Sequence, residues 1–363
     1  MRPLIILSVA TGYGGAERSI EILLKHMPDD MNIHVYAHNA LHIRELTAPG
    51  AMPKMGKLIR VPSPASAWGR RWASLRLWRD CLRNPHAHVI ANTHTSALIA
   101  AITAKFLPSL GSRSFIYVRD FLWTDLDYIF RRLEGVRALL PSSAVANRLG
   151  YLSPYFLEPH GSVAVTVLPD MVVLPKSQSS YLGPFLHLAT VNAWKGHIDL
   201  LMAMKALKED GITLRTCSYG TISNVELGQK LRRFIAKLDI DQYYQLQGYI
   251  PDPASLLQSC TAVIITSRSH SGGPETFGRT VIEAWSHRKP IIAYKCGAVA
   301  ELIEDGVDGL LVDEGDTTGL ASAMKKLHES PETCRRLGEA GHQKVSRQFE
   351  AQVITQMFLE TVS

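Results

Sequence analysis

Ser271-Gly272-Gly273-Pro274-Glu275-Thr276-Phe277-Gly278-Arg279-Thr280-Val281-Ile282-Glu283-Ala284 places two glutamates eight positions apart, one in a glycine- and proline-rich turn and one in an apolar helical run. A helix is expected from about Phe277. At about 1.5 Å rise per residue, the two carboxylates lie roughly 12 Å apart. Backbone N–H groups at the start of that helix suit a phosphate, whereas carboxylates accept hydrogen bonds from hydroxyls and repel phosphates. The order is therefore hydroxyl reader, phosphate cradle, hydroxyl reader, the outline of a nucleotide-sugar. The plainer alternative is a helix-capping acid followed by a solvated glutamate. Val281, Ile282, Ala284 and Trp285 weaken it, because Glu283 stands among apolar neighbours and a buried carboxylate needs a partner.

Working outward, short Val/Ile/Leu-rich runs alternate with longer amphipathic ones. Strands are expected at Leu4–Val9, Ile33–Ala37, Val89–Asn92, Phe115–Val118, Ala138–Pro141 and Val163–Leu168. In the second half they are expected at Phe185–Val191, Leu214–Tyr219, Tyr244–Tyr249, Val263–Thr266, Ile291–Tyr294 and Gly309–Val312. Helical segments between them include Ala16–His26, Ile198–Lys208, Ala254–Ser259 and Thr318–Leu327. Continuous apolar strands indicate burial on both faces, and strand–helix alternation indicates right-handed βαβ units. A chain of 363 residues exceeds what one core normally serves. The polar stretch Leu174–Ser180 divides it nearly in half. The expectation is α/β: two doubly wound, Rossmann-like parallel-sheet domains facing a cleft, over 1–175 and 184–345, with a last helix over 346–363 crossing back toward the first. Glu275 follows the Val263–Thr266 strand, the end at which such sheets bind ligands.

Five scattered cysteines without a CxxC pair fit reduced thiols in a cytoplasmic protein, and no metal-ligand spacing is present. Pro3–Ala10 is short and runs into Thr11-Gly12-Tyr13-Gly14-Gly15, a first strand and turn rather than a targeting segment. No stretch approaches the roughly 18 to 20 apolar residues of a spanning helix. Net charge is +6, and the excess lies in residues 1–175, with 19 Lys+Arg against 12 Asp+Glu. Segment 54–83 holds eight basic residues and a single acid, Asp80.

Gly12-Tyr13-Gly14-Gly15-Ala16-Glu17 follows a strand and opens a helix, so its backbone can approach an anion. A dinucleotide fingerprint requires glycine where Glu17 stands, which argues against hydride transfer. Trp194-Lys195-Gly196-His197 follows the Phe185–Val191 strand, and a lysine there can neutralise a diphosphate. Gly248-Tyr249-Ile250 ends another strand, where a nucleobase can rest against backbone and aromatic.

With Arg288-Lys289-Pro290-Ile291-Ile292-Ala293 and the run Gly297–Val312, these residues resemble glycosyltransferase family 4, the retaining sugar transferases with the GT-B fold. The resemblance is strongest from about Leu186 to Leu327. In the first half it thins to Gly14-Gly15-Ala16-Glu17, His94 and Ser142. It implies a uridine or guanosine diphosphate sugar as donor, with no cofactor and no metal ion, and a saccharide or lipid-linked acceptor of cell-surface polysaccharide or lipopolysaccharide synthesis. By the same resemblance Glu275 faces donor-sugar hydroxyls and Glu283 the ribose. Backbone at Thr276, Phe277 and Gly278 holds phosphates and sugar, Tyr249 and Ile250 lie beside the base, and Lys195 balances the departing diphosphate. Gly14 and Gly15 line the opposite wall. No protein nucleophile is implied.

Three departures stand out. Relatives often carry an arginine just before the lysine, where this chain has Asn192-Ala193-Trp194, so Arg279 or Arg268 becomes a candidate replacement. A usual histidine after the Phe115–Val118 strand is replaced by Arg119-Asp120, candidates for substrate contact and catalysis respectively. The usual Pro-Asn-Gly-Val-Asp is Pro169-Asp170-Met171-Val172-Val173. The alternatives are a sugar-nucleotide epimerase or hydrolase on the same fold, and a nucleotide-sugar-binding subunit without turnover.

In the basic aromatic stretch 68–83, Trp68, Trp72, Leu75, Trp78 and Leu82 share one helical face. That face packs on the sheet, or rests on an anionic membrane at the inner face of the cytoplasmic membrane with Arg70, Arg71 and Arg76 on the lipid headgroups, or does both, the tryptophans and arginines dividing the work. No nucleic-acid module is recognisable.

Overall fold

The computed structural model describes residues 2–120, 123, 125–152, 163–176, 180–269 and 274–363, with backbone alone for 149–152. The turn residues Ser271, Gly272 and Gly273, and Ser177–Ser179 of the polar stretch, lie outside the described residues. The chain forms two compact units, Met1–Met171 with Ala351–Ser363, and Val172–Glu350.

The first unit is a seven-stranded parallel sheet built from β1 (Leu4–Ser8), β2 (Ile33–Ala37), β3 (Gly56–Arg60), β4 (His88–Ala91), β5 (Ser114–Tyr117), β6 (Arg137–Leu140) and β7 (Ala164–Val167), in the order β3-β2-β1-β4-β5-β6-β7. Strands β1, β4 and β5 are buried along their whole length, as continuous apolar runs require. β3 is the strand the sequence pattern missed. Its Gly-Lys-Leu-Ile-Arg sets a charged residue on either side of two apolar ones at a sheet edge, with only Ile59 fully buried. Exposed charges such as Lys57 and Arg60 are how an edge avoids unwanted pairing. One face of the sheet carries Ile5, Leu7, Val89 and Ile116 against Leu77 of α3 (Ala67–Arg83) and Ile99 of α4 (His94–Ala104). The other carries Leu4, Ile6 and Phe115 against Ile20 and Leu24 of α1 (Gly15–Lys25). Ile354 and Phe358 of a C-terminal helix, Ala351–Val362, join that second core.

The second unit is a six-stranded parallel sheet of β8 (Phe185–Leu188), β9 (Thr216–Tyr219), β10 (Tyr244–Leu246), β11 (Val263–Ile265), β12 (Ile291–Tyr294) and β13 (Leu310–Val312), in the order β10-β9-β8-β11-β12-β13. Both sheets follow the doubly wound, Rossmann-like plan, in which strand order reverses beside the first strand. Trp285 is the largest fully buried side chain, and its indole N–H donates to the Asp308 carbonyl at 2.9 Å. The helix over Pro331–Gln348 ends the second unit, and a short break at Phe349-Glu350 separates it from Ala351–Val362.

Candidate functional site

In the second sheet the order reverses between β8 and β11, so their carboxyl ends flank the expected ligand position. Beyond β8 a 3-10 turn over Ala193–Lys195 leads into Gly196 and then α7 (His197–Glu209). Gly196 sits at φ +67°, and a Cβ there would lie 1.9 Å from the Thr266 carbonyl oxygen. Only glycine lets the lysine loop close on the end of β11. The closure is fixed by Thr266 Oγ1 donating to the Lys195 carbonyl at 2.9 Å, and by the Arg268 N–H donating to the Trp194 carbonyl at 2.7 Å. These bonds bring the Lys195 ammonium onto Glu275 Oε1, which also accepts from Ser267 Oγ at 2.6 Å. The ammonium further lies 3.9 Å from the centre of the Trp194 ring, a cation–π contact. The two residues assigned to the diphosphate and to the donor sugar thus touch each other.

Beneath Lys195 are two buried histidines. His187 places Nδ1 3.1 Å from Ser218 Oγ and Nε2 3.3 Å from Thr266 Oγ1, and its ring meets that of His197 edge-on at 4.6 Å. Burial, then the neighbouring His197 and Lys195, push His187 well below the ordinary imidazole value. Burial and then Lys195 lower His197 to about 4. A cation on His197 would also oppose the positive N-terminus of α7. Both rings are therefore neutral at pH 7, leaving the ammonium as the charge above them. The linkage has a definite sign: the unfolded chain takes up the proton first, so stability is full above about pH 6.5 and falls as pH drops toward 4. For His197 the fall is ~3 kcal/mol at 1.36 kcal/mol per unit. Thermal unfolding of His197→Leu from pH 7 to 4 is expected to show a shallower decline than the parent; parallel curves would contradict this.

The helix carrying the second glutamate, α10 (Arg279–Ser286), begins two residues later than expected. Gly278 adopts φ +94°, which a right-handed helix cannot contain, so the helix starts after it. Glu283 has the partner its surroundings demand: Arg279 Nε donates to Oε1 at 2.8 Å, one turn earlier. Phe277 turns its ring into the core, edge-on to Phe349 at 5.8 Å, so at this position only backbone can serve a ligand. The Glu275 carbonyl accepts from the Ala298 N–H at 3.0 Å, pinning the turn to the segment after β12. Tyr249 is exposed and Ile250 partly so, on the loop after β10; the Gly220 N–H donates to the Gly248 carbonyl at 3.2 Å and ties that loop to the end of β9.

Neither proposed replacement for the missing arginine is uncommitted. Arg268 makes a bidentate pair with Asp199, both contacts 2.6 Å, and Arg279 serves Glu283. Ser267, Trp194 and the Arg268–Asp199 pair were not singled out from sequence. Ser267 alone carried a hint, standing next to the end of β11. Among the described residues no three His, Cys, Asp or Glu side chains converge as metal ligands.

In the first unit the glycine turn follows β1, and the reversal lies between β1 and β4. The Gly14 N–H donates to Glu17 Oε2 at 2.8 Å, so this chain's own carboxylate occupies the donor that an anion would use. Tyr13 OH donates to Glu21 Oε2 at 3.0 Å, Glu21 Oε1 meets His42 Nδ1 at 2.6 Å, and His42 Nε2 lies 3.0 Å from Ser8 Oγ. Asn92 Nδ2 donates to the same Ser8 Oγ at 3.3 Å, and its Oδ1 accepts from Arg119 Nε at 3.0 Å. Arg119 also pairs with Asp170, which accepts from Ser19 Oγ at 2.7 Å, and its guanidinium stacks on Tyr117 at 3.6 Å. Arg119 is thereby bound into the interior next to the Gly15 helix start, while Asp120 is exposed. The sequence reading missed Asp170, although its acid stands where relatives were expected to have asparagine.

Residues 184–344, just under half of the chain, match the family described as Glycosyl transferases group 1. The putative glycosyltransferase EpsD of Bacillus subtilis is 28% identical over 169 residues, 47% of this chain and 42% of EpsD. The lipopolysaccharide core biosynthesis glycosyltransferase LpsE of Rhizobium meliloti is 26% identical over 133 residues, 37% of this chain and 38% of LpsE. The match thus spans about two fifths of the length of these curated relatives. The solved structure of HepE from Anabaena, in complex with UDP and glucose, superposes with a TM-score of 0.80 at 19% identity, covering 100% of this chain and 99% of that one. The chain therefore has the GT-B fold, and its likeness to the group 1 glycosyl transferases lies over residues 184–344.

Proposed function

We propose that this protein is a retaining, family 4 glycosyltransferase. It moves a sugar from a nucleoside diphosphate sugar onto a saccharide or lipid-linked acceptor in cell-surface polysaccharide or lipopolysaccharide synthesis, at the cytoplasmic side of the membrane. One observation carries the reading: Lys195 and Glu275 converge at the point where the second sheet reverses its order. Support comes from the names of EpsD and LpsE and from the UDP and glucose held by HepE.

Lys195 stabilises the negative charge that grows on the diphosphate as the glycosidic bond breaks. Glu275 accepts from hydroxyls of the donor sugar, and Ser267 and the Ala298 N–H hold the glutamate in place. The acceptor oxygen attacks the anomeric carbon from the face the diphosphate leaves, and its proton goes to a departing phosphate oxygen. Glu283 takes the ribose hydroxyls, and Arg279 remains its neutralising partner.

The test begins with thermal shifts against uridine and guanosine diphosphate sugars, since a donor at 100 times its Kd adds about 2.7 kcal/mol to the folded form. The matched donor and an acceptor panel then give the product, whose anomeric configuration is read by NMR. Retention supports the mechanism and inversion overturns it. A donor altered without any acceptor-dependent product identifies an epimerase or hydrolase, and binding without chemistry identifies a subunit without turnover.

A further inference from the structure

The helix α3 turns its large side chains the wrong way for packing. Toward the core it presents Gly69, Ala73, Ser74, Leu77, Asp80 and Cys81. Outward it presents Trp68, Leu75 and Leu82, which are 66%, 65% and 52% exposed. At about 100° per residue, Trp68, Leu75, Arg79 and Leu82 fall within about 60° of arc. Arg71 and Arg83 flank them, both exposed. The apolar face read from sequence therefore divides: small residues meet the sheet, Trp72 packs partly against the core, and Trp68, Leu75 and Leu82 turn outward. Trp72 and Trp78 sit partly buried at its margins.

The charge on this face is of one sign. Asp80, the only acid of the helix, points inward, accepting from Tyr36 OH at 2.6 Å and lying 3.5 Å from Arg76 Nε. Arg70 donates to the carbonyls of Pro64 and Ala65 at 2.7 and 3.0 Å. Arg70 and Arg76 are thus engaged locally, whereas Arg71, Arg79 and Arg83 form no ion pair among the described residues. Among the described residues, no helix is long and apolar enough to cross a membrane. An outward stripe of tryptophan and leucine interleaved with unpaired arginines has the chemistry of a helix lying in a lipid interface. Tryptophan favours the headgroup level, and arginine pairs with phosphate.

We infer that the outward face of α3 docks on an anionic phospholipid bilayer, with Trp68, Leu75 and Leu82 in the interface and Arg71, Arg79 and Arg83 on headgroup phosphates. The inference deepens the proposed membrane-side transfer and rests on that reading for its purpose; binding itself needs neither donor nor turnover.

Sedimentation with phosphatidylglycerol-containing vesicles, and with phosphatidylcholine alone, tests it at about 0.1 M and about 0.5 M salt. Binding is expected on the anionic vesicles only and is expected to weaken at high salt. Each arginine near the surface is worth about fivefold in partition, so R71Q/R79Q/R83Q is expected to lose at least tenfold. W68S/L75S/L82S is expected to lose as much, and both variants should unfold within a few degrees of the parent, their changes being on the surface. Arg70→Gln and Arg76→Gln serve as the contrast and are expected to change binding little. Absence of sedimentation at low salt, or binding undiminished in both triple variants, overturns the inference. So does a dimer that W68S/L75S/L82S abolishes without any vesicle binding, or binding to single-stranded oligonucleotide in place of vesicles. Vesicle binding by a protein that transfers no sugar would leave this inference standing and remove only the transfer reading.

Discussion

For the transfer proposed above, Lys195→Ala is expected to lower kcat/KM for the nucleotide-sugar donor by about 10²- to 10³-fold, the usual loss when one group stabilising transition-state charge is removed. Most of that should appear in kcat, because the diphosphate gains charge only as the bond breaks. Two local facts make the loss severe. Arg268 is held by Asp199 and Arg279 by Glu283, so neither is poised to take over. The variant also leaves Glu275 without its counter-ion, facing the phosphates. For that reason Lys195→Ala combined with Glu275→Gln is expected to be less impaired than the product of the single losses. Initial-rate kinetics on the four proteins decide the matter. A kcat/KM within twofold of the parent in both single variants would sink the site assignment.

Asp170→Ala should be the most damaging single change to the stability of the first unit, at about 3–5 kcal/mol. It removes the carboxylate that pairs with the largely buried Arg119 and accepts from Ser19. The guanidinium keeps Asn92 and the Tyr117 ring, neither of them charged, and only the weaker attraction of the Glu17 carboxylate remains. For a unit of this size the drop corresponds to about 6–20 °C in midpoint. Calorimetry should also show that Arg119→Met with Asp170→Leu recovers most of the loss, because replacing both members of a buried pair is far milder than stranding one. A midpoint within about 2 °C of the parent for Asp170→Ala would mean that the interior tolerates an unpaired Arg119.

The strands that sequence located well are those buried on both faces, such as Ile33–Ala37 and Ile291–Tyr294, whose apolar runs need no context. β3 escaped because an edge strand with Lys57 and Arg60 reads as a charged loop. Of the candidate site, Lys195, Glu275 and Glu283 stood out in the sequence because of their places after apolar runs and beside a glycine- and proline-rich turn. Their pairings did not, since Lys195 and Glu275 are 80 residues apart in the chain. The same holds for Arg119: its position after a strand suggested a substrate contact, whereas its pairing with Asp170, 51 residues away, could not be read from the sequence. Of the three tryptophans of α3 read onto one face, only Trp68 points fully outward, while Trp72 and Trp78 are partly buried; which way the helix turns depends on the small residues opposite.

The division of the chain also sets an order of assembly. The first sheet completes its second core only with Ala351, Ile354, Phe358 and Val362, which follow all 179 residues of the second unit. At about 5–20 residues per second, synthesis of that intervening stretch takes roughly ten to forty seconds. During this interval the amino-terminal sheet stands with one face incompletely covered, while the unit made after it already has every residue it needs. The part of the protein translated first is therefore the last to be finished.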